Sequence, residues 1–471
     1  MNYSTRLLVG GALALSLVAC EAGEAKEVKS ASGSPPPTAL DKDPYPSTYR
    51  PYPGAPTLIV GATVFDGAGG RIDNGAVLLR DGKVEWVGDA NTMAIPGDAV
   101  TVDARGKYVT PGIIDVHSHM GNYPAPGVSP HSDGNEATGP ATPNVWTEHS
   151  VWPQDPSFTR ALSNGGVTSF QVLPGSANLF GGRSVTLKTV PGRTVMDMKF
   201  PGAPYGLKMA CGENPKRVYG DKGGPQTRMG NIAVTRETWI DAVAYDRKWD
   251  EYEAEGGDMP GRDLAMDTLR GVLDGDIRIH NHCYRADEMA LMMQMAKEFG
   301  YRVTSFQHAV EAYKIADLLA ENEVCAAMWA DWYGFKMESY DGILENIPYV
   351  HAAGACAIVH SDSADGIQRL NQEAAKALAA GRRQGLEISD AEAWQWLSAN
   401  PAKSLGIYDQ TGSLEAGKMA DVVLWNGNPY SVYTRPEKVW IDGALLFDSS
   451  NPALRPVTDF ELGQPGEGDV K

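Results

Sequence analysis

One segment of this chain sets the interpretation of all the others: Pro111-Gly112-Ile113-Ile114-Asp115-Val116-His117-Ser118-His119. The apolar residues at its start indicate a short buried strand. Residues two apart on a strand point to the same side, so His117 and His119 present both imidazoles to one point. Two ordinary strand histidines are the alternative for so short a motif. Because imidazole nitrogens at this spacing can chelate a metal, the segment predicts a metal site at a strand end.

Composition narrows the class of protein. The chain has 471 residues, of which 21% are charged and 42% hydrophobic, as in globular proteins. Its formal net charge is −18, and the sequence contains no cluster of Lys and Arg. Because phosphate contacts need clustered cations, we expect no nucleic-acid partner.

The N-terminus predicts a targeting segment over residues 1–19. Arg6 precedes an apolar run, residues 7–18, that is too short to span a bilayer. Leu17-Val18-Ala19-Cys20 resembles the lipobox of bacterial lipoproteins, which implies cleavage before Cys20 and acylation of its thiol. A plain secretory signal with an accidental cysteine is the alternative. We expect residues 20–56 to be a flexible tether that leaves the folded body facing the periplasm, anchored by lipid to the cell envelope, with the outer membrane as the expected membrane.

The other cysteines are Cys211, Cys283, Cys325 and Cys356, each in or beside an apolar, strand-like run. No CxxC motif occurs. The pattern favours buried free thiols over a disulfide framework, even in an oxidising compartment.

Both ends of the folded part look like β-structure. Residues 57–110 are short strands with turns, and Asp81-Gly82 between alternating apolar residues indicates a hairpin. Strand-rich sequence returns at residues 417–425 and 438–443. We therefore predict one small β-sandwich built from residues 57–110 and 403–450, followed by a C-terminal tail over residues 451–471.

Between these ends, residues 111–402 alternate strand and helix. The predicted strands are 167–173, 205–211, 277–283, 302–308, 324–329 and 355–360, and the predicted helices include 286–299 and 309–321. Repeated strand-then-helix units imply a parallel sheet, and this number of units favours a closed, TIM-like (β/α)8 barrel. Active residues should then lie at the carboxyl ends of the strands.

Polar residues stand at those strand ends. His282 and His308 end two strands, and Asp362 follows a third. With His117 and His119, five metal-ligand side chains converge. A single strand histidine is more often an ordinary core residue, but five ligands at successive strand ends favour a metal centre.

With these residues in place, the chain resembles the amidohydrolase superfamily, in the branch of imidazolonepropionase-related amidohydrolases and metal-dependent dipeptidases. The resemblance runs from Thr57 to about Asp448. It rests on the segments PGIIDVHSH, GVTSFQVLPGSANLFGGR, GLKMACGENPKRVYG and HSDSADG and on the two strand-end histidines. It is specific for the superfamily and much less so for a substrate.

The resemblance implies a bridging group between two metals, usually a carboxylated lysine and sometimes a glutamate. Lys208 occupies the place of that lysine, and Glu213, expected in the following loop, is the competing candidate. On the next strand His282 is nearer the carboxyl end and is the expected ligand, while His280 should lie one layer deeper as a supporting or structural residue. His360 is expected to orient Asp362.

These assignments imply two divalent ions per chain, with Zn2+ as the expected metal. One ion would be held by His117, His119 and Asp362, the other by His282 and His308, with carboxylated Lys208 between them. Asp362 would take the proton of the attacking water and pass it to the leaving nitrogen. The expected reaction is hydrolysis of an amide-type C–N bond in a small molecule: a dipeptide, an N-acyl amino acid or a cyclic amide.

Several weaker predictions concern substrate contacts. The candidates for binding a substrate are Arg183, Arg217, Tyr219 and Tyr284, because arginine binds carboxylates in a bidentate manner. Gly175-Ser176 and Gly181-Gly182 favour tight turns over an anion cradle, because the lysine of a P-loop is missing.

Two other functions stay open at this point. A mononuclear, imidazolonepropionase-like ring hydrolase or deaminase would not need the bridging lysine, so metal content separates it from the binuclear enzyme. A non-catalytic, lipid-anchored binding protein would have inherited the barrel without the reaction. A homo-oligomer is compatible with each of these functions.

Overall fold

The computed structural model describes residues 42–454. The predicted signal segment, Cys20 and residues 455–471 of the predicted tail lie outside the described residues. The strands are β1 (Thr57–Phe65), β2 (Arg71–Arg80), β3 (Lys83–Asp89), β4 (Val100–Asp103), β5 (Tyr108–Pro111), β6 (Ile113–Ser118), β7 (Val167–Val172), β8 (Phe180–Lys188), β9 (Gly206–Ala210), β10 (Arg278–Cys283), β11 (Val303–His308), β12 (Cys325–Met328), β13 (Cys356–Val359), β14 (Val422–Trp425), β15 (Pro436–Ile441) and β16 (Ala444–Asp448).

The α-helices alternate with the middle strands. They are α1 (Pro156–Gly165), α2 (Glu213–Tyr219), α3 (Arg228–Glu255), α4 (Leu264–Leu273), α5 (Ala286–Phe299), α6 (Ala316–Glu321), α7 (Asn346–Ala352), α8 (Leu370–Arg383), α9 (Asp390–Trp394) and α10 (Ala399–Leu405). Within the part of the chain that the structure describes, none of these helices is both long and apolar enough to cross a membrane.

Local sequence explains where the helices begin and end. Helix α1 begins after Asp155, whose carboxylate accepts from the backbone N–H of Ser157, and Pro156 fills the first helical position. Helix α5 spans the predicted residues and ends at Gly300, whose φ of 81° is the left-handed conformation that glycine adopts at little cost. The predicted helix at 309–321 is shorter, with a 3-10 turn at Ala312–Ile315 before α6.

The two ends of the folded chain meet in one sheet. Its strand order is β16-β15-β14-β5-β1-β2-β3, with β4 paired to β1. The antiparallel pairing of β14 with β5, in which Leu424 lies opposite Val109, joins the C-terminal strands to the N-terminal ones. The predicted hairpin is present, because β2 and β3 are antiparallel and connect through Asp81 and Gly82, both at positive φ. That these strands form a two-layered sandwich stays a prediction.

The middle of the chain forms a second eight-stranded sheet in the order β13-β12-β11-β10-β9-β8-β7-β6, which curls into a nearly closed barrel. All six predicted strands are present, each with boundaries within one residue of the prediction. The open seam between β13 and β6 is bridged by hydrogen bonds: the N–H of Asp362 donates to the carbonyl of His117 at 3.0 Å.

The regular (β/α)8 prediction is wrong at one strand. Strand β8 runs antiparallel to both neighbours, β7 and β9. No α-helix separates it from either of them, and a 3-10 turn at Val195–Asp197 lies between β8 and β9. The segment read as tight turns around Gly181-Gly182 is therefore a buried strand. The error arises from Gly182, a glycine in the middle of the strand. Its φ of 117° is one that glycine adopts easily, and a Cβ added there would lie 2.4 Å from the carbonyl oxygen of Val145.

Residues 43–56 of the predicted tether pack against the folded body, whereas residues 20–41 lie outside the described residues. Residues 43–56 are irregular in backbone but lie on the folded body: the Tyr49 hydroxyl donates to Asp442 at 2.5 Å, and Asp43 pairs with Lys199 at 2.8 Å. Fully buried Lys188 lies beside the same carboxylate, 2.8 Å from Asp442 and 3.4 Å from Asp421. The N-terminal segment, strand β8 and the end sheet thus share one buried ionic network.

The four internal cysteines form two disulfides, contrary to the prediction of free thiols. Cys211 is bonded to Cys283, and Cys325 to Cys356. The physical reason is register: Cys325 lies directly opposite Cys356 in the parallel pairing of β12 with β13, with their Cα atoms 4.4 Å apart.

Candidate metal centre

The first two candidate ligands come from the end of β6. His117 is buried, and its Nδ1–H donates to Oε1 of Gln307 at 3.0 Å. His119 donates from Nδ1 to the carbonyl of Leu173 at 2.8 Å. Because each Nδ1 is engaged with an oxygen, each Nε2 carries the free lone pair that a metal requires.

Asp362 faces both of these nitrogens. Its Oδ1 lies 3.5 Å from Nε2 of His117 and 3.2 Å from Nε2 of His119. The three ligand atoms lie within 4.8 Å of one another. Two imidazoles and a carboxylate in this arrangement fit a divalent ion such as Zn2+.

A buried carboxyl group supports this cluster and was not predicted. Asp115 accepts from the N–H of His117 at 3.2 Å and from the hydroxyl and N–H of Ser361, so it ties β6 to the segment that carries Asp362. Burial raises the pKa of Asp115 to about 7. Its place two residues before His117 on the same strand face was the pattern that could have identified it.

Lys208 lies at the centre of the barrel on β9. Its side chain is inaccessible to solvent, and its Nζ lies 3.4 Å from Nε2 of His117. Burial lowers the pKa of Lys208 to about 7. Glu213, the competing bridge, begins helix α2 instead of lying in a loop, and its carboxylate faces Lys336 at 3.4 Å. The structure therefore brings Lys208, and not Glu213, beside the histidines.

His282 and His308 complete the set. Their ring centroids lie 4.6 Å apart, and burial is the largest cause holding the pKa of each well below its usual value, so both imidazoles are neutral and able to bind metal. Nδ1 of His282 is buried and has no hydrogen-bond partner among residues 42–454, while its Nε2 lies 3.4 Å from the amide of Asn214. A buried, unpartnered imidazole nitrogen fits a metal-binding role.

One of the two supporting histidines, His360, contacts a proposed metal ligand, His308. His360 does not hydrogen-bond to Asp362; its Nε2 lies 3.0 Å from Nδ1 of His308 instead. That His360 orients Asp362 stays a prediction. Together with His117, these two histidines form a second group of possible ligands within 4.8 Å of one another.

His280 lies one layer deeper, as predicted. Its Nδ1 is 2.8 Å from the Ser305 hydroxyl, which also accepts from Nε2 of Gln307 at 2.8 Å. Gln307 in turn holds His117, so a chain of hydrogen bonds leads from the barrel interior to a ligand. The sequence analysis missed Ser305 and Gln307, although both lie on β11 at alternate positions before His308.

The candidate histidine ligands and Asp362 line a cavity of about 340 Å3. Arg217 and Tyr284 line it, as predicted for substrate-binding residues. Arg183 and Tyr219 do not, and these two predictions are wrong. Arg183 is buried on β8, where it donates to Thr268 at 2.8 Å and stacks over Trp146, and the Tyr219 side chain is buried away from the cavity. Larger cavities of about 750 and 650 Å3 lie elsewhere and include none of the candidate ligands.

Two further cavity residues come from the segment after β12, which the sequence analysis did not single out. Lys336 lines the cavity with its Nζ 4.0 Å from the ring centroid of Tyr284, and Phe335 lies beside it. No local motif marks them, because the loop that carries them is positioned by tertiary contacts.

Comparison with known proteins agrees with this geometry. Residues 108–447 match the amidohydrolase family. The amidohydrolase tasK of Hapsidospora irregularis is 32% identical over 434 residues, which cover 84% of this chain but only 43% of that protein. The imidazolonepropionase of Mesorhizobium japonicum is 24% identical over 392 residues, covering 78% of this chain and 90% of that protein. The crystal structure of an amidohydrolase from Thermotoga maritima MSB8 has a TM-score of 0.77 at 36% identity. The match covers 83% of this chain and 100% of that chain.

Proposed function

The chain belongs to the amidohydrolase family, and on this premise we propose that it hydrolyses an amide-type C–N bond of a small molecule with two bound divalent ions. That it is an enzyme acting on C–N bonds follows from the family and from its hydrolase relatives. The observation that carries the finer proposal is the convergence of six side chains on one end of the barrel. They are His117, His119, Lys208, His282, His308 and Asp362.

We assign His117, His119 and Asp362 to one ion, because their ligand atoms already form a compact group. His282 and His308 are assigned to the second ion, with Lys208 between the two. The family is associated with divalent metals, and the donor set of imidazoles and a carboxylate favours Zn2+. When bound, the ions supply Lewis acidity that polarises the scissile carbonyl and acidifies water.

Asp362 is placed to move the proton. Burial alone would raise its pKa, but the hydrogen bond and charge of His119 act together with the charges of His360 and Lys208 and hold the pKa below its usual value. The carboxylate is therefore ionised and able to accept the proton of the attacking water. It then passes that proton to the leaving nitrogen as the C–N bond breaks.

Lys208 is proposed to carry CO2 as a carbamate. In that reaction the neutral amine forms an N–C bond to CO2 as one C–O π bond of CO2 opens, and it releases one proton, which converts the neutral amine into an anionic carbamate. Among the described residues no carboxylate lies within hydrogen-bond distance of its Nζ, so a buried ammonium there would have only the longer-range charge interaction with Asp362 to offset its burial. A carbamate would offer an oxygen to each ion and offset their charge.

The test is hydrolysis of dipeptide, N-acyl amino acid and cyclic amide libraries by zinc-loaded and metal-stripped protein. We expect turnover only with metal, and its loss in Asp362→Asn. Asp365→Asn is the matched control, because that carboxylate lies three residues away, is exposed and does not line the cavity. Equal activity of the stripped and loaded protein would contradict the proposal.

A mononuclear ring hydrolase is the second candidate, and the 24% identity to an imidazolonepropionase over 90% of that protein favours it. It differs from the first proposal in needing one ion and no carbamate. Opening of a cyclic amide by protein that holds one ion per chain would select it. The non-catalytic alternative is set aside because the relatives are hydrolases.

We further propose that the protein is lipid-anchored through Cys20 and faces the periplasm, with the outer membrane as its expected membrane. The lipobox-like sequence Leu17-Val18-Ala19-Cys20 supports this. The two disulfides also support it, because structural disulfides are typical of oxidising compartments. Mass spectrometry should find a diacylated Cys20 at the mature N-terminus, and Cys20→Ala should abolish membrane association. A mature chain that begins elsewhere and carries no lipid would refute the anchor.

A further inference from the structure

The segment after β12 forms one wall of the cavity entrance and is unusually apolar on its outside. It runs from Trp329 to Tyr340 and is called the aromatic loop here. With its continuation to residue 345 it connects β12 to α7 with only a 3-10 turn at Met337–Ser339. Connections of this length without regular structure are uncommon in compact domains and are usually functional.

The aromatic loop begins beside His308, a proposed metal ligand, and extends from there toward the protein surface. The ring of Trp329 stacks on His308 at 4.3 Å, and Trp332 stacks on Trp329 at 5.5 Å. Phe335 lies 5.9 Å from Trp329, lines the cavity and is 58% exposed. Its outer residues continue this apolar surface, with Trp332 41% and Tyr340 70% exposed. A contiguous exposed apolar surface that begins at a catalytic cavity marks a binding site.

Contacts at the base of the aromatic loop fix the backbone that carries these exposed aromatic side chains. Glu338 is buried, pairs with Arg228 and accepts from the N–H of Glu213 at 2.7 Å. The indole N–H of Trp329 donates to the carbonyl of Ser361 at 3.1 Å, beside Asp362. The aromatic side chains are therefore presented to solvent by an anchored backbone.

Two cations line the same cavity and are called the cationic rim here: Arg217 on helix α2 and Lys336 on the aromatic loop. The positive charge of Lys336 is partly compensated by the carboxylate of Glu213, 3.4 Å away. Arg217 is exposed and has no hydrogen bond or ion pair to any residue between 42 and 454. An arginine without a partner at the mouth of a cavity offers its fork of N–H donors to an incoming carboxylate.

Resting on the proposed hydrolase function, we propose that the substrate is an N-acyl amino acid with a large apolar acyl group. Its carboxylate binds the cationic rim, and its acyl chain leaves the cavity over the aromatic loop. The scissile amide then lies between these two contacts, over the metal ligands. Water supplies oxygen to the acyl carbon and a proton to the nitrogen, so the products are a fatty acid and a free amino acid.

The experiment uses four probes that vary charge and chain length separately: octanoylglycine, octanoylglycinamide, acetylglycine and acetylglycinamide. With zinc-loaded protein we expect the highest kcat/KM for octanoylglycine. Loss of the carboxylate charge should lower kcat/KM by about tenfold or more, because charge-assisted hydrogen bonds are lost. Shortening the acyl chain should lower it by about tenfold or more, because buried methylene groups are lost.

The variants locate each contact. Arg217→Gln should raise KM for octanoylglycine and leave octanoylglycinamide unchanged, whereas Lys216→Gln on the same helix, outside the cavity, should change neither. Phe335→Ala should weaken the preference for octanoyl over acetyl. Tyr433→Ala is its control, since Tyr433 is 88% exposed and lies between β14 and β15.

Equal kcat/KM for acid and amide, or for octanoyl and acetyl probes, overturns the inference while leaving the hydrolase proposal intact. If no probe is hydrolysed, calorimetric binding of octanoylglycine to the zinc-loaded protein decides. Binding that weakens about tenfold in Arg217→Gln supports the inferred carboxylate contact, while the lack of turnover counts against the hydrolase proposal. Absent or unchanged binding overturns it.

Discussion

The two ends of the barrel are built from the same strands but hold different chemistry. Seven of its strands share one direction; among them, β6, β10 and β11 carry histidines at their carboxyl ends and Asp362 follows β13, all facing an open cavity. At the amino ends of those strands lie buried apolar side chains, among them Ile113, Val167 and Ile279. One end is therefore organised for reactivity and the other for packing, as in other barrel enzymes.

Each end also carries its own disulfide. Cys211–Cys283 lies at the carboxyl ends of β9 and β10, next to His282, whereas Cys325–Cys356 joins the first residues of β12 and β13. The same covalent link occurs in two contrasting places. The difference predicts that position along the strand, more than residue type, decides whether a group affects the reaction or only the stability of the fold.

Paired substitutions at the two ends should produce the largest effect. Asp362→Asn should lower kcat about 10² to 10⁴-fold with little change in the free energy of unfolding, because it removes a proton acceptor. Ile279→Ala should lower the free energy of unfolding by about 2–5 kcal/mol, because it leaves a cavity in the core, and should keep kcat within about twofold. Steady-state kinetics and denaturant unfolding check both. A stable, inactive Ile279→Ala would break the comparison.

The two disulfides sharpen the comparison with matched variants. By the chain-entropy model each link, closing 72 and 31 residues, stabilises the fold by about 4 kcal/mol, so both double Cys→Ser variants should lose similar stability. Only Cys211→Ser/Cys283→Ser should also lower kcat/KM, by about tenfold, since it frees the strand end that positions His282. Thermal unfolding and kinetics at a temperature where both variants are folded measure the two effects. Equal activity in the two variants would show that the link beside His282 has no role in the site.

The smallest effect is expected where the N-terminal segment docks. Tyr49→Phe removes the hydrogen bond to Asp442 and should cost about 1 kcal/mol of unfolding free energy without changing kcat/KM. Tyr52→Phe, whose exposed hydroxyl donates to the carbonyl of Pro191, is the control and should change stability less. A fall in kcat/KM in Tyr49→Phe would mean that this segment acts on the site, against the separation of roles.

The candidate site could be predicted largely because its signals are local. His117 and His119 are two residues apart, so strand periodicity places them together. His282, His308 and Asp362 stand where apolar runs end, and a parallel barrel brings those ends together. Lys208 was assigned from the family resemblance. The choice between Lys208 and Glu213 needed the structure, because it depends on which side chain reaches Nε2 of His117.

The features that could not be predicted depend on pairing between distant segments. The direction of β8 is set by its neighbours β7 and β9, and its glycines look like turns in isolation. The disulfides depend on the register that sets Cys325 opposite Cys356. Lys336 reaches the cavity because buried Glu338 fixes its loop against Arg228, a contact across 110 residues that leaves no periodic trace.

The central claim is that side chains at one end of the barrel hold two ions bridged by Lys208, and metal content per chain tests it most directly. Wild-type protein and Lys208→Ala should be loaded with zinc and bicarbonate, freed of excess metal and measured by inductively coupled plasma mass spectrometry, with Lys216→Ala as the control. We predict two ions in the wild type and the control, one in Lys208→Ala, and partial return of the second ion with added acetate. One ion per chain in all three proteins would contradict the binuclear account and favour the mononuclear enzyme.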